Sequence, residues 1–101
     1  MPFVYIVRCA DGTLYTGYAR DPLRRVAMHN SGRGARYTSG RRPVRLVFSE
    51  VFDAIGDALR REHELKRWPR RKKEALIAKA SDARREKRRR AARRGGPRSN
   101  D

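Results

Sequence analysis

The sequence predicts an α+β fold: a small central three-stranded antiparallel sheet flanked by helices, in the order ββαβαα, followed by a basic C-terminal arm. Three observations carry that expectation. Two β-rich runs, residues 3–9 and 13–19, are separated only by Ala10, Asp11 and Gly12. Asp21 followed by Pro22 marks a helix start. From residue 53 to 67 apolar positions recur at helical spacing. Residues 2–80 make one domain, and 101 residues leave no room for a second core.

The hairpin loop decides which side chains share a face. A two-residue turn at Asp11 and Gly12 would put Tyr5 and Tyr15 on opposite faces. A three-residue loop, with Ala10 and Asp11 in a type I turn and Gly12 left-handed in a bulge, sets Val7 against Tyr15 and Tyr5 against Gly17. Both tyrosines then share one face, and Gly17 leaves space opposite Tyr5 for a substrate.

In the first helix, residues 22–30, the Asp21 carboxylate can accept the free amide hydrogens of the first turn, and Pro22 needs no donor there. Leu23, Val26, Ala27 and Asn30 form one stripe, while Arg25 and His29, four apart, project together from another side. Residues 31–42, rich in glycine and arginine, read as a flexible loop. Arg33, Arg36, Arg41 and Arg42 could touch phosphates there, and Tyr37 could stack a base. A third strand follows Pro43 over residues 44–52.

Asp53 is the expected cap of the second long helix, whose inward stripe is Ile55, Ala58, Leu59, Glu62 and Leu65. Glu62 faces in, and Glu64 falls on the solvent side with Arg60, Arg61 and Arg67. Trp68 and Pro69 break that helix, and residues 70–80 form the last one, with Leu76 and Ile77 available for packing. Residues 81–101 make the arm. Residues 83–94 carry no hydrophobic side chain larger than alanine, and Gly95, Gly96 and Pro97 stop a helix.

Charge points to the partner. Twenty-seven Lys and Arg against 11 Asp and Glu give a formal charge of +16, which favours a polyanion, first of all nucleic acid. Residues 1–80 hold 18 basic and 8 acidic side chains, residues 81–101 hold 9 and 3, so the arm is the denser part. Arg84, Arg85 and Arg88 in the arm and Lys66 in the body are candidate phosphate contacts. No apolar run approaches the length of a bilayer span and no leader is evident, so a soluble cytoplasmic protein without membrane partners is expected. Cys9 stands alone, which rules out an intramolecular disulfide, and one Cys with two His builds no zinc site.

Glu62 is the most informative residue, because an inward carboxylate must be protonated, paired or bound to a metal. Lys66, four residues on, could pair with it; a divalent cation sharing phosphate oxygens could equally hold it. Arg25 offers a planar fork for two phosphate oxygens, and His29 can accept a proton near neutral pH, although each residue type also occurs as ordinary surface charge. Tyr5 and Tyr15 are equally at home in a sheet, and a phenol is a weak base unless its proton is passed on. His63 points a quarter turn from Glu62 and is expected to be exposed.

In order and spacing these residues resemble the GIY-YIG nuclease family. Phe3-Val4-Tyr5 stands at its first motif and Tyr15-Thr16-Gly17 at its second. Arg25 and His29 look like the family's helix arginine and the histidine four residues after it, and Glu62 like its metal-binding glutamate. Phe3 replaces the first glycine and Thr16 the isoleucine of the second motif; neither change removes a reacting group. The resemblance covers residues 2–77. Arg8-Cys9-Ala10-Asp11-Gly12, Tyr37-Thr38 and Lys66-Arg67-Trp68 are similar to the small stand-alone bacterial members. It implies endonuclease-like, metal-dependent hydrolysis of DNA phosphodiesters, in repair or processing, with one Mg²⁺ or Mn²⁺ held by Glu62. Tyr5, Tyr15, Arg25, His29 and Glu62 would be catalytic, with the water-activating role open among Tyr5, Tyr15 and His29. The alternative is a noncatalytic binder of DNA or RNA that retains the fold.

Overall fold

The computed structural model describes residues 1–95. Strands β1 (Phe3–Arg8), β2 (Leu14–Ala19) and β3 (Arg45–Val51) form an antiparallel sheet in the order β2-β1-β3. Helices α1 (Pro22–Asn30) and α2 (Arg36–Ser39) lie between β2 and β3; α3 (Ile55–Lys66) and α4 (Arg70–Gly95) follow. The order is the expected one with a single-turn helix added. Among the described residues no helix is long and apolar enough to cross a membrane.

β1 is central and buried on both faces, which fits its run of Val4, Tyr5, Ile6 and Val7. On one face Val4 and Ile6 pack with Val47, Phe48, Ala58, Leu65 and Ile77, beneath α3 and α4. On the other, Tyr5, Val7, Cys9, Ala19 and Val44 pack with Tyr15, Val26 and Leu46, on the side of α1. The hairpin has the three-residue loop. Gly12 N–H donates to Cys9 C=O at 2.9 Å, Cys9 N–H donates to Thr13 C=O at 2.8 Å, and Gly12 has φ +85°. Tyr5 therefore pairs with Gly17 and Val7 with Tyr15.

α1 starts as expected, with Asp21 accepting from Arg24 N–H at 3.1 Å and Pro22 in the first turn. Its buried side differs from the apolar stripe. Leu23 is 70% exposed and Ala27 is exposed, whereas Pro22 and His29 are buried and Arg25 and Val26 half-buried. Hydrogen-bond partners for His29 inside the protein outweigh the modest gain from covering Leu23. At the end of α1, the Asn30 side chain pairs with the Val44 backbone in both directions, at 3.0 and 2.7 Å, fixing where β3 begins.

Three further expectations need correction. Residues 31–42 are not loop throughout, since Thr38 folds back on Ala35 to make α2. α3 starts one residue late, with Ala54 and not Asp53 at the cap position. Its inward line is Ala58, Arg61, Glu62 and Leu65, while Ile55 and Leu59 are each 45% exposed. Arg61, placed on the solvent side by its charge, instead bridges Glu50 at 3.0 Å and Glu64 at 2.7 Å and lies over Trp68.

The last helix does not end near residue 80 but continues to Gly95. Ala, Arg, Lys and Glu are strong helix formers, and extending a helix already nucleated against a core needs no apolar face of its own. Asp82 with Arg85, and Glu86 with Arg89 and Arg90, add local ion pairs. Gly96 and Pro97, expected to stop the helix, lie outside the described residues.

α4 is tied to the hairpin by Arg8, whose fork meets both oxygens of Glu74 at 2.8 and 2.7 Å, and by Arg70, which donates to Gly12 C=O at 2.7 Å. The Arg8 bonds hold the Glu74 carboxyl at about 2. A depressed carboxyl pKa stabilises the fold above the unfolded value of about 4.3, and that contribution is lost as pH falls from there toward 2. Urea midpoints should therefore drop across that window in the wild type. Glu74→Gln should flatten the drop and cost about 1 kcal/mol at neutral pH, the discount reflecting partial exposure.

Candidate active site

Tyr5 stands at the centre of the site. Its ring lies over Gly17, where any Cβ would collide with the phenol hydroxyl, so the space expected for a substrate opposite Tyr5 is filled by Tyr5 itself. Its Oη is 2.9 Å from Nε2 of His29, and both side chains are only 1% exposed. Tyr15, half-buried on the same face, packs edge-on against His29 with ring centroids 5.4 Å apart. The two tyrosines and the histidine thus come together as the hairpin register required.

Burial pushes the Tyr5 phenol up to about 12, and the neighbouring Tyr15 and Glu62 push in the same direction while Arg25 opposes them. Burial also lowers the His29 imidazole below its ordinary value, and the positive charge of Arg25 lowers it further. His29 is consequently a neutral imidazole at pH 7, hydrogen-bonded to the Tyr5 hydroxyl. Arg25 and Glu62, of opposite charge, both lie within electrostatic range of the Tyr5 hydroxyl, with Tyr15 and the hydrogen-bonded His29 as its other neighbours.

Glu62 arrives from α3, on the opposite face of the sheet from α1, and meets the aromatic cluster at the edge strand β2. Lys66 marks the meeting point, because its Nζ is 3.2 Å from Glu62 and 5.8 Å above the Tyr15 ring. The Glu62 side chain is 19% exposed against 54% for Glu64. His63 is exposed and lines a separate groove of about 630 Å³ with Leu59, Arg60 and Trp68.

Among the described residues no three His, Cys, Asp or Glu side chains cluster as a metal cage. The donor set is one carboxylate, Glu62, paired with Lys66. That fits Mg²⁺ or Mn²⁺ completing its shell with water and phosphate oxygens, and does not fit a metal held by protein alone.

The expected nucleic-acid contacts divide. Arg33, Arg36, Arg84, Arg85 and Arg88 are exposed. Arg41 is engaged, bonding Asp11 at 3.1 Å and Tyr37 C=O at 2.8 Å and lying 4.1 Å over the Tyr37 ring. Arg42 bonds Ser39 C=O at 2.8 Å. Tyr37 is 39% exposed but already stacks on Tyr15, centroids 5.7 Å apart, so a base on Tyr37 would displace Tyr15 or Arg41. Two residues with no assigned role in the sequence reading also touch the site. Thr38 Oγ1 lies 2.8 Å from His29 Nδ1, and a Cβ at Gly34 would strike the same nitrogen. Neither has a hydropathy signal; a fully buried threonine in a polar glycine-rich segment becomes visible only once His29 is known to turn inward.

Residues 1–75 match the family model described as the GIY-YIG catalytic domain. A UPF0213 protein of Staphylococcus saprophyticus is 54% identical over 76 residues, 75% of this chain and 93% of that protein. A UPF0213 protein of Staphylococcus aureus is 56% identical over 75 residues, 74% of this chain and 92% of its own length. The solution NMR structure of a UPF0213 protein from Bacillus halodurans is 49% identical, with a TM-score of 0.51 over 77% of this chain and 84% of that one. That of a protein from E. faecalis is 37% identical, with a TM-score of 0.54 over 78% of this chain and 84% of that one. Carrying the two tyrosine motifs on one sheet face, the chain belongs to the GIY-YIG catalytic domain family.

Proposed function

We propose that the protein is a metal-dependent endonuclease-like phosphodiesterase acting on DNA. The observation that carries this reading is the buried Tyr5–His29 pair, 2.9 Å apart, beside one guanidinium and one carboxylate. Tyr5 accepts a proton from the attacking water as its own hydroxyl hydrogen passes to His29 Nε2, which lowers the cost of deprotonating water at neutral pH. Tyr15 orients the water or the phosphate from the half-buried rim. Arg25 offsets the charge that grows on the phosphoryl oxygens as the phosphorus becomes five-coordinate. Glu62 would hold Mg²⁺ or Mn²⁺, which when bound supplies positive charge at the phosphate oxygens. Lys66, freed from Glu62, is placed to meet the same phosphate.

The test is a panel of nicked, flapped, branched and single-stranded DNA and RNA with Mg²⁺ or Mn²⁺. EDTA-sensitive cutting of DNA supports the reading; tight, salt-sensitive binding without turnover would support the noncatalytic binder instead.

The exposed arginines of α4 make a separate prediction. Replacing Arg84, Arg85 and Arg88 by alanine should weaken binding about equally for all sequences. The slope of log K against log salt should become shallower by roughly 2 to 3, as three phosphate contacts are lost. An unchanged slope would remove this helix from the interface.

A further inference from the structure

Both ring nitrogens of His29 are committed inside the protein, Nε2 to Tyr5 at 2.9 Å and Nδ1 to Thr38 Oγ1 at 2.8 Å. A neutral imidazole carries one N–H, so the nitrogen that holds it fixes the direction of both bonds. Only if Nε2 bears the lone pair can His29 take the Tyr5 proton.

Thr38 decides the matter. Its hydroxyl donates to Ala35 C=O at 2.9 Å, which uses its single hydrogen. Toward His29 it can then only accept, so Nδ1 carries the hydrogen, Nε2 is bare, and Tyr5 donates to it. In the opposite arrangement Thr38 donates to Nδ1 and Nε2–H points at Tyr5. That arrangement keeps the bond from Ala35 N–H to Nδ1 at 3.3 Å, and Ala35 C=O still accepts Thr38 N–H at 3.1 Å; the Nδ1–H arrangement keeps the shorter hydroxyl bond to Ala35 C=O at 2.9 Å and gives up the Ala35 N–H one. Thr38 is 0% exposed and His29 1%, so bulk water does not substitute for the hydroxyl. Gly34 closes the other side, since a Cβ there would overlap Nδ1.

We propose that Thr38 is the positioning residue that sets the His29 tautomer, holding Nδ1–H so that Nε2 is the acceptor for the Tyr5 proton. The kinetic consequence rests on the phosphodiesterase reading; the tautomer does not. In the step, water gives one proton to Tyr5 Oη while the Tyr5 hydroxyl hydrogen moves to Nε2. The water oxygen bonds to phosphorus, and the leaving oxygen departs with its bonding electron pair and takes a proton from solvent water. The resulting imidazolium keeps its second N–H on Thr38 Oγ1, and no proton passes beyond Thr38. α2, one turn long, therefore exists to present a hydroxyl to a histidine nine residues earlier.

The test is long-range ¹H–¹⁵N correlation of the His29 ring at neutral pH, in the wild type, Thr38→Val and Thr38→Ser. Expected are an Nδ1-protonated ring in the wild type and in Thr38→Ser, and a shift to Nε2–H in Thr38→Val. An Nε2-protonated wild type overturns the proposal, and so does a folded Thr38→Val with an unchanged tautomer. If Thr38→Val does not fold, the wild-type spectrum alone decides. In parallel, Thr38→Val should lower kcat about tenfold or more at unchanged KM, with most of it restored in Thr38→Ser. A tautomer that switches as expected in a protein that cuts nothing keeps Thr38 in this role and overturns the nuclease reading. Cleavage lost in Thr38→Val without a tautomer switch keeps the nuclease reading and overturns this one.

Discussion

Tyr5→Phe should reduce cleavage by about 10²- to 10⁴-fold while leaving the fold intact, because it removes one buried oxygen and nothing else. The ring still fills the space over Gly17 and still packs with Val7 and Ala19. What disappears is the hydroxyl bonded to His29 Nε2, which the proposed reaction uses to join the attacking water to that nitrogen. The pH profile supplies a second reading of the same pair. The proposed relay requires neutral His29, and burial together with Arg25 holds that pKa below its ordinary value of about 6.5. The rate should therefore stay level on going from neutral to mildly acidic pH and fall only as pH passes below the depressed His29 value. A fall centred near 6.5 would mean that the titrating base is not the buried His29. Tyr15→Phe should cost less, since Tyr15 meets His29 through its ring edge and not through a hydrogen bond.

Glu62→Gln should abolish metal-dependent cleavage by about 10³-fold, whereas Glu64→Gln should leave it within about twofold. The two residues are separated by one position and by nearly half a turn. Glu62 acts on the Tyr5 hydroxyl and pairs with Lys66; Glu64 pairs with Arg61 at 2.7 Å on the far side of α3. Glutamine keeps the shape and the hydrogen bonding of either site, so the contrast isolates charge. Mn²⁺ binding followed by paramagnetic broadening gives a readout free of activity: resonances around Tyr15 and Lys66 should broaden in the wild type and not in Glu62→Gln. Loss of cleavage in Glu64→Gln alone would mean that the ligand lies on the wrong face of α3.

The hairpin was readable from sequence in full because three residues, Ala10 to Gly12, fix its register and a register fixes faces. The start of α1 was equally readable from Asp21 and Pro22. Apolarity misled where a polar group had better partners inside. Leu23 suggested the inner face of α1, yet His29 turned inward because Tyr5 and Thr38 satisfy both its nitrogens, and Arg25 followed it. On α3 the pattern of Ile55 and Leu59 pointed to one stripe, but the covered line passes through Arg61, whose stem and two carboxylate partners make it an inner residue. Lys66 was readable as a partner of Glu62 four residues away and not as a cation over Tyr15, since that second contact depends on α3 reaching the β2 edge. Thr38 lay beyond reach because its contact joins two segments, the turn at residues 36–39 and the His29 side of α1, whose packing no local pattern specifies.

The most direct measurement is a side-by-side cleavage assay of the wild type, Tyr5→Phe, Arg25→Ala and Glu62→Gln, purified identically and assayed on one DNA panel with Mn²⁺. Cutting by the wild type that EDTA stops, and that falls by about a hundredfold or more in every variant, is the expected result. Equal cutting by all four proteins would contradict it, and would place the activity outside the Tyr5 cluster.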